Sequence, residues 1–159
     1  MSTYKVIDNF LPDQQFKKIH DCLMGDFFPW FYTKGVGSDK DGRYFTHSFY
    51  RDYKTNSGLS QHVEALVNKI KPLGIIRIKG NLYPSTEKQQ EHHSHIDYSF
   101  DHKGLIFSVN TNNGFTRMED GTKIESVANR GLFFDPSLKH NSATCTDADV
   151  RVNINFNYV

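Results

Sequence analysis

The chain has 159 residues and a formal net charge of +1, with 37% of residues in the AVILMFWYC set and 14% aromatic. That composition supports one packed domain over residues 1–159 and excludes a disordered chain. With 19 basic residues against 18 acidic ones there is no general field to hold a nucleic acid or an anionic membrane. Cys22 and Cys145 are too few for a disulfide framework, no basic stretch leads into an apolar run at the N-terminus, and no apolar run is long enough to span a bilayer. A cytoplasmic protein without signal peptide or membrane segment is therefore expected. In chain order, Tyr4-Lys5-Val6-Ile7 reads as a short strand. From Pro12 to Met24, Phe16, Ile19 and Leu23 recur at helical spacing, and Gly25 marks the stop. Trp30, Phe31 and Tyr32 read as core more readily than as a substrate entrance, and Thr33 to Arg43, rich in Gly, Lys and Asp, reads as an exposed loop. A second helix is expected from Leu59 to Lys71, with Val63, Leu66, Val67 and Ile70 as its apolar stripe.

From Gly74 onward the period becomes two. Ile76 and Ile78 alternate with Arg77 and Lys79, while Leu105–Val109 and Gly131–Phe134 read as apolar strands. In the last segment Val150, Val152, Ile154, Phe156 and Tyr158 oppose Arg151, Asn153, Asn155 and Asn157. Short strands between turn clusters, with two helices against one sheet, predict an α+β domain dominated by β, an antiparallel sandwich or barrel.

Three of the eight histidines fall in Glu91-His92-His93-Ser94-His95-Ile96-Asp97. On a strand, side chains at i and i+2 share a face, so His95 and Asp97 could hold one ion together. His92 and His93 read as flanking residues, with His93 replacing His95 only if the register slips by two. The same spacing in His62-Val63-Glu64 falls in the expected second helix, where i and i+2 diverge by roughly 200 degrees and cannot chelate. His140, in Leu138-Lys139-His140-Asn141, is the candidate third ligand. Two imidazoles and one carboxylate leave open positions on the metal, which suits non-haem Fe(II). Eleven residues later Arg151 stands on the polar parity of the last strand. In a wet barrel that parity faces inward, and the planar guanidinium grips a carboxylate with two parallel hydrogen bonds.

His95-x-Asp97, then His140, then Arg151 resemble the Fe(II)/2-oxoglutarate-dependent dioxygenase superfamily. Asn81-Leu82-Tyr83 resembles the tyrosine-bearing strand that precedes His-x-Asp in prolyl 4-hydroxylases, and Val109-Asn110 with Gly114-Phe115-Thr116 resembles their Leu-Asn…Gly-Gly-x-Thr segment. The opening Val6-Ile7-Asp8-Asn9-Phe10-Leu11 before a helix is also similar. The resemblance spans Tyr4 to Tyr158 and points to the compact, often phage- or bacterium-encoded members of that branch. It implies a double-stranded β-helix, or jelly roll, with two N-terminal helices packed against one sheet. It further implies Fe(II) on His95, Asp97 and His140, 2-oxoglutarate as co-substrate on Arg151 with Tyr83 and Asn153 adding hydrogen bonds, and ascorbate as a further candidate. Dioxygen and a peptide, protein or small amino-acid-like molecule would be the reaction partners, a proline-containing peptide first among them. The second Arg that nucleic-acid demethylases of the superfamily carry six residues after the first is Asn157 here, which argues against nucleic acid.

Two other readings stay open at this point. A cupin-like β-barrel of non-catalytic or isomerase type would use the same strand pattern and the same His-x-Asp chelate, but would have no reason to aim Arg151 inward. An interaction module without metal is the third. The sequence names neither the substrate nor the oligomeric state.

Overall fold

The computed structural model describes residues 4–38 and 40–159; Asp39, inside the expected Thr33–Arg43 loop, and residues 1–3 lie outside the described residues. The strands are β1 (Tyr4–Ile7), β2 (Phe31–Lys34), β3 (Arg43–Arg51), β4 (Lys54–Thr55), β5 (Ile75–Pro84), β6 (Lys103–Ser108), β7 (Asn112–Arg117), β8 (Lys123–Ser126), β9 (Arg130–Phe134), β10 (Asn141–Ser142) and β11 (Val150–Tyr158). The helices are α1 (Asp13–Leu23) and α2 (Glu64–Ile70). A large sheet runs β1-β9-β6-β11-β5-β3-β2, with β4 paired to β3, and a small sheet runs β10-β7-β8. All pairings are antiparallel. The molecule is mainly β with a jelly-roll core, as the sequence implied.

The alternation of β11 explains the layering. Val152, Ile154 and Phe156 face outward from the large sheet and are wholly buried under Ile19 and Leu23 of α1 and Leu66 of α2, with Phe49, Ile78, Leu105 and Phe107 beside them. Burying each such side chain contributes about 1.5–3 kcal/mol, so this cluster is the main fastening of helices to sheet. The opposite face of the same sheet meets the small sheet, and that interior is divided. Near β1, β9 and β6 it is dry, filled by Ile106, Met118, Leu132 and Phe134 with Tyr4, Val6 and Ile124 against them. Near β5 and β11 it is polar, and there the candidate site lies.

The structure alters two expectations. The expected helix Leu59–Lys71 begins as one turn of 3-10 helix over Ser60–Val63, because Ser57 captures the entry: its hydroxyl accepts from Leu59 N and its carbonyl from Ser60 N. The Thr33–Arg43 segment is only partly loop. It starts inside β2 and ends in β3, a nine-residue strand that pairs with both β2 and β5. The described turn between them is anchored rather than free, since the Asp41 carboxylate accepts from Gly37 N, Ser38 N and His93 N.

Candidate active site

Antiparallel register places four polar residues of β5 directly across from four of β11: Arg77 opposite Asn157, Lys79 opposite Asn155, Asn81 opposite Asn153, and Tyr83 opposite Arg151. Because strand side chains alternate, all eight project into the space between the sheets. Two rungs are bonded side chain to side chain: Arg77 Nε donates to Asn157 Oδ1 (3.1 Å) and Asn81 Nδ2 to Asn153 Oδ1 (2.9 Å). The cleft they wall holds about 440 Å³ including its mouth.

At one end stand the expected metal ligands. The segment around His95 pairs with that around His140 through reciprocal backbone bonds, His95 N to His140 O (2.9 Å) and His140 N to His95 O (3.0 Å), which sets the two rings 4.7 Å apart. Asp97 N donates to Pro136 O and carries its carboxylate to the same place. One ligand atom from each of His95, Asp97 and His140 lies within 4.8 Å of the others. His95 Nδ1 is 3.2 Å from His93 O, and His140 Nδ1 is 3.0 Å from Leu138 O. A carbonyl can only accept, so each Nδ1 carries the proton and each Nε2 keeps its lone pair for an ion. Burial lowers the pKa of His140, partly offset by Asp97, and so favours the neutral ring that a metal requires.

Asp97 is gripped from three sides. Arg77 meets Oδ1 at 3.0 Å, while Asn157 and Asn155 donate to Oδ2 at 2.8 and 3.1 Å. Burial alone would raise its pKa, but Arg77, His140 and the two amides hold it down to about 2. Beside it Lys79, half-buried, is pushed down to about 8 by burial and by the neighbouring Arg77.

At the other end Arg151 is 1% exposed and has no carboxylate within ion-pair reach among the described residues. Its Nε donates to Ser126 Oγ (2.8 Å), one terminal nitrogen to Ala143 O (3.2 Å) and the other to Thr116 Oγ1 (3.1 Å). A guanidinium has five N–H donors, so these neutral partners leave two over. Gly114 makes room for it, since a Cβ there would stand 2.6 Å from Arg151 Cδ. Tyr83 lies under the guanidinium, 5.5 Å from ring centre to Cζ, and is stacked between Tyr44 and His92 with both centroid separations 5.4 Å. Burial pushes the Tyr83 phenol up, which keeps it a hydrogen-bond donor at neutral pH.

The structure thus brings together His95, Asp97 and His140 as one cluster and sets Tyr83 and Asn153 with them on the walls of the same cleft, with Arg151 buried behind Thr116. The other residues of the histidine run stand apart. His93 turns away to Asp41 (2.5 Å), and His92 bonds Ser142 Oγ (2.7 Å) behind Tyr83. Trp30 packs over Gly80 in the outer core, as expected, whereas Phe31 and Tyr32 are exposed and not core. Arg77, Lys79, Asn81 and Asn155 were not read as site residues. Their one signal was the strict polar alternation of β5 facing that of β11.

The fold is shared with solved structures of Fe(II)/2-oxoglutarate oxygenases, prolyl hydroxylases among them. A viral collagen prolyl hydroxylase from Paramecium bursaria Chlorella virus-1, in its 2-oxoglutarate complex, aligns with a TM-score of 0.66 at 12% identity over 99% of this chain and 96% of its own. A Pseudomonas putida prolyl-4-hydroxylase aligns at 0.65 and 14% identity over 98% and 91%. The alpha-ketoglutarate-dependent carbocyclase SnoK of nogalamycin biosynthesis aligns at 0.69 and 11% identity over 98% and 79%. No protein-family model and no curated protein sequence matches the chain. No helix among the described residues is long and apolar enough to cross a membrane.

Proposed function

We propose that this chain is an Fe(II)- and 2-oxoglutarate-dependent oxygenase of the hydroxylase type, acting on a peptidyl or small amino-acid-like substrate. The observation that carries the reading is Arg151: a buried guanidinium satisfied only by neutral groups, behind a cleft whose front holds His95, Asp97 and His140. A buried charge without a counter-ion costs several kcal/mol, which an anionic ligand would offset. The donor set fits the metal as well, with two imidazoles presenting Nε2 and one ionised carboxylate already desolvated.

His95, Asp97 and His140 would hold the ion, and the grip of Arg77, Asn155 and Asn157 on Asp97 fixes that carboxylate before the ion arrives. Arg151 would clamp the distal carboxylate of 2-oxoglutarate, with Thr116, Tyr83 and Asn153 available for further hydrogen bonds. Iron and 2-oxoglutarate together supply the activation of dioxygen, coupled to decarboxylation of the co-substrate to succinate and CO2. The apolar half of the interior, around Ile106 and Met118, closes the far side of the cleft against bulk water. Two of the similar structures described above are prolyl hydroxylases, which supports hydroxylation as the outcome. The free thiols of Cys22 and Cys145 fit a reducing, cytoplasmic setting.

Anaerobic titration of Fe(II) and 2-oxoglutarate tests the reading. Chelation should produce the weak visible metal-to-ligand charge-transfer band, and admitting air, with or without ascorbate, should release succinate. A protein that binds the metal and ignores 2-oxoglutarate would be the cupin-like barrel instead.

A further inference from the structure

Among the described residues, Asn81 Oδ1 and Asn155 Oδ1 line the cleft as buried acceptors without a partner, and the second of them shares its rung with a cation that neither the metal nor the co-substrate uses. That cation, Lys79, projects into the cleft from β5, in the same lining as His95, Asp97 and His140. Its ammonium makes no ion pair among the described residues; it rests 5.7 Å above the ring of Tyr44. The carboxylate it shares the cleft with, Asp97, already has both oxygens engaged by Arg77, Asn155 and Asn157. Directly across from Lys79 is Asn155. Because its Nδ2 must donate to Asp97, the orientation of this amide is settled, and its Oδ1 is left buried with no partner. The wall next to the metal cluster therefore offers one unpaired cation and one unpaired acceptor on a single cross-strand rung. Buried polar atoms of this kind are rare in native proteins unless a ligand completes them.

We infer that the substrate is a free α-amino acid, its carboxylate held by Lys79 and its amino group donating to Asn155 Oδ1. The assignment rests on the oxygenase reading above and narrows its substrate class. A carboxylate and an N–H donor on one α-carbon match the rung in charge and in donor–acceptor order, whereas an internal residue of a peptide has no α-carboxylate to give Lys79. Val36 and Tyr44 line the same cleft beside this rung.

The test uses the protein loaded with Mn(II) and 2-oxoglutarate, titrated calorimetrically with each proteinogenic L-amino acid as the free acid and as its α-amide. At least one free acid should bind, and its amide should bind about 10- to 100-fold more weakly, the loss of one charge-assisted contact. Lys79→Met should weaken the same acid by a similar factor and leave its amide unchanged, while Lys79→Arg retains most of the affinity. The affinity for 2-oxoglutarate should be unaltered in both variants, which separates Lys79 from the co-substrate anchor. Equal binding of acid and amide to the wild-type protein overturns the inference without recourse to any variant. So does a lack of binding by every amino acid while 2-oxoglutarate still binds, an outcome that leaves the oxygenase reading standing. Failure of 2-oxoglutarate itself to bind the Mn(II) protein removes both.

Discussion

Replacing Arg151 with methionine separates a ligand anchor from a structural brace, because the two roles predict opposite patterns of stability. In the free protein the substitution removes three hydrogen bonds, to Ser126, Ala143 and Thr116, and also removes a buried charge with no counter-ion. Charged hydrogen bonds are worth about 1.5–3 kcal/mol each, and the desolvation of an unpaired ion costs several kcal/mol, so the effects oppose one another. The melting temperature without ligand should therefore move by no more than about 5 °C. With ligand the outcome differs. Wild-type protein at a 2-oxoglutarate concentration of about 100 Kd gains about 2.7 kcal/mol, which for a chain of this size is a rise of about 5–11 °C. Truncating one partner of a buried charge pair costs about 2–5 kcal/mol, or roughly 30-fold to several thousand-fold in affinity. At the same concentration the variant should then gain less than about 1 kcal/mol, a shift of at most about 3 °C. Arg151→Lys should recover part of the shift, because the charge remains while the two-pronged geometry does not. Differential scanning fluorimetry on the Mn(II)-loaded protein gives all four numbers. A variant that melts far earlier on its own yet keeps the full 2-oxoglutarate shift would refute the anchor assignment and make Arg151 a brace.

Asp97→Ala and His140→Ala should each abolish metal uptake, whereas His92→Ala and His93→Ala should retain it; metal content after reconstitution decides, and full occupancy in the His140 variant removes that residue from the cluster. Because burial lowers the pKa of His140, bound metal should persist to a pH below the ordinary imidazole range before protons displace it, as a titration of metal content would show. Gly114→Ala should weaken 2-oxoglutarate without lowering metal content, since the added methyl would stand 2.6 Å from Arg151 Cδ and 2.7 Å from Asn112 Oδ1; calorimetry showing wild-type affinity would mean the cradle tolerates it. His92, with burial pushing its pKa down to about 4, adds stability that is complete above pH 6.5 and is lost as the pH falls through 4. Denaturant melts at pH 7 and 4.5 should differ by about 2–3 kcal/mol from this group, and His92→Phe should remove that part of the difference.

The His95–Asp97–His140 cluster was legible because its geometry is local and its chemistry restrictive. His95 and Asp97 are two residues apart on an extended chain, and few residue types can hold a metal. The inward, buried placement of Arg151 was legible for a related reason, since it is the one cation on a strand whose other polar residues are amides. Arg77 and Lys79 were not, and the cause is the rule that assigns the charged parity of an alternating strand to solvent. In β5 that parity faces the cleft while Ile78 faces the helices. Nothing within β5 distinguishes a wet interior from an exterior; only its pairing with Asn153, Asn155 and Asn157 does. The strand β3 was missed because turn-forming residues up to Arg43 extended the loop reading to the point where the strand starts. Asp41, one of those residues, ties the turn to His93 through contacts that are 52 residues apart in sequence and so leave no local trace.

The position of β11 has a consequence for how the molecule opens. Its amides and carbonyls pair with β5 on one side and β6 on the other, and both of its faces are buried. Such a strand has no route to hydrogen exchange short of disrupting the large sheet itself, so its protection factors should report global unfolding, whereas β2, at the sheet edge, can fray by local opening. Arg151, Asn155 and Asn157 all ride on β11. The proposed anion anchor and the two amides that bond Asp97 therefore belong to the last cooperative unit to melt, and partial opening at the β2 edge leaves their relative positions intact.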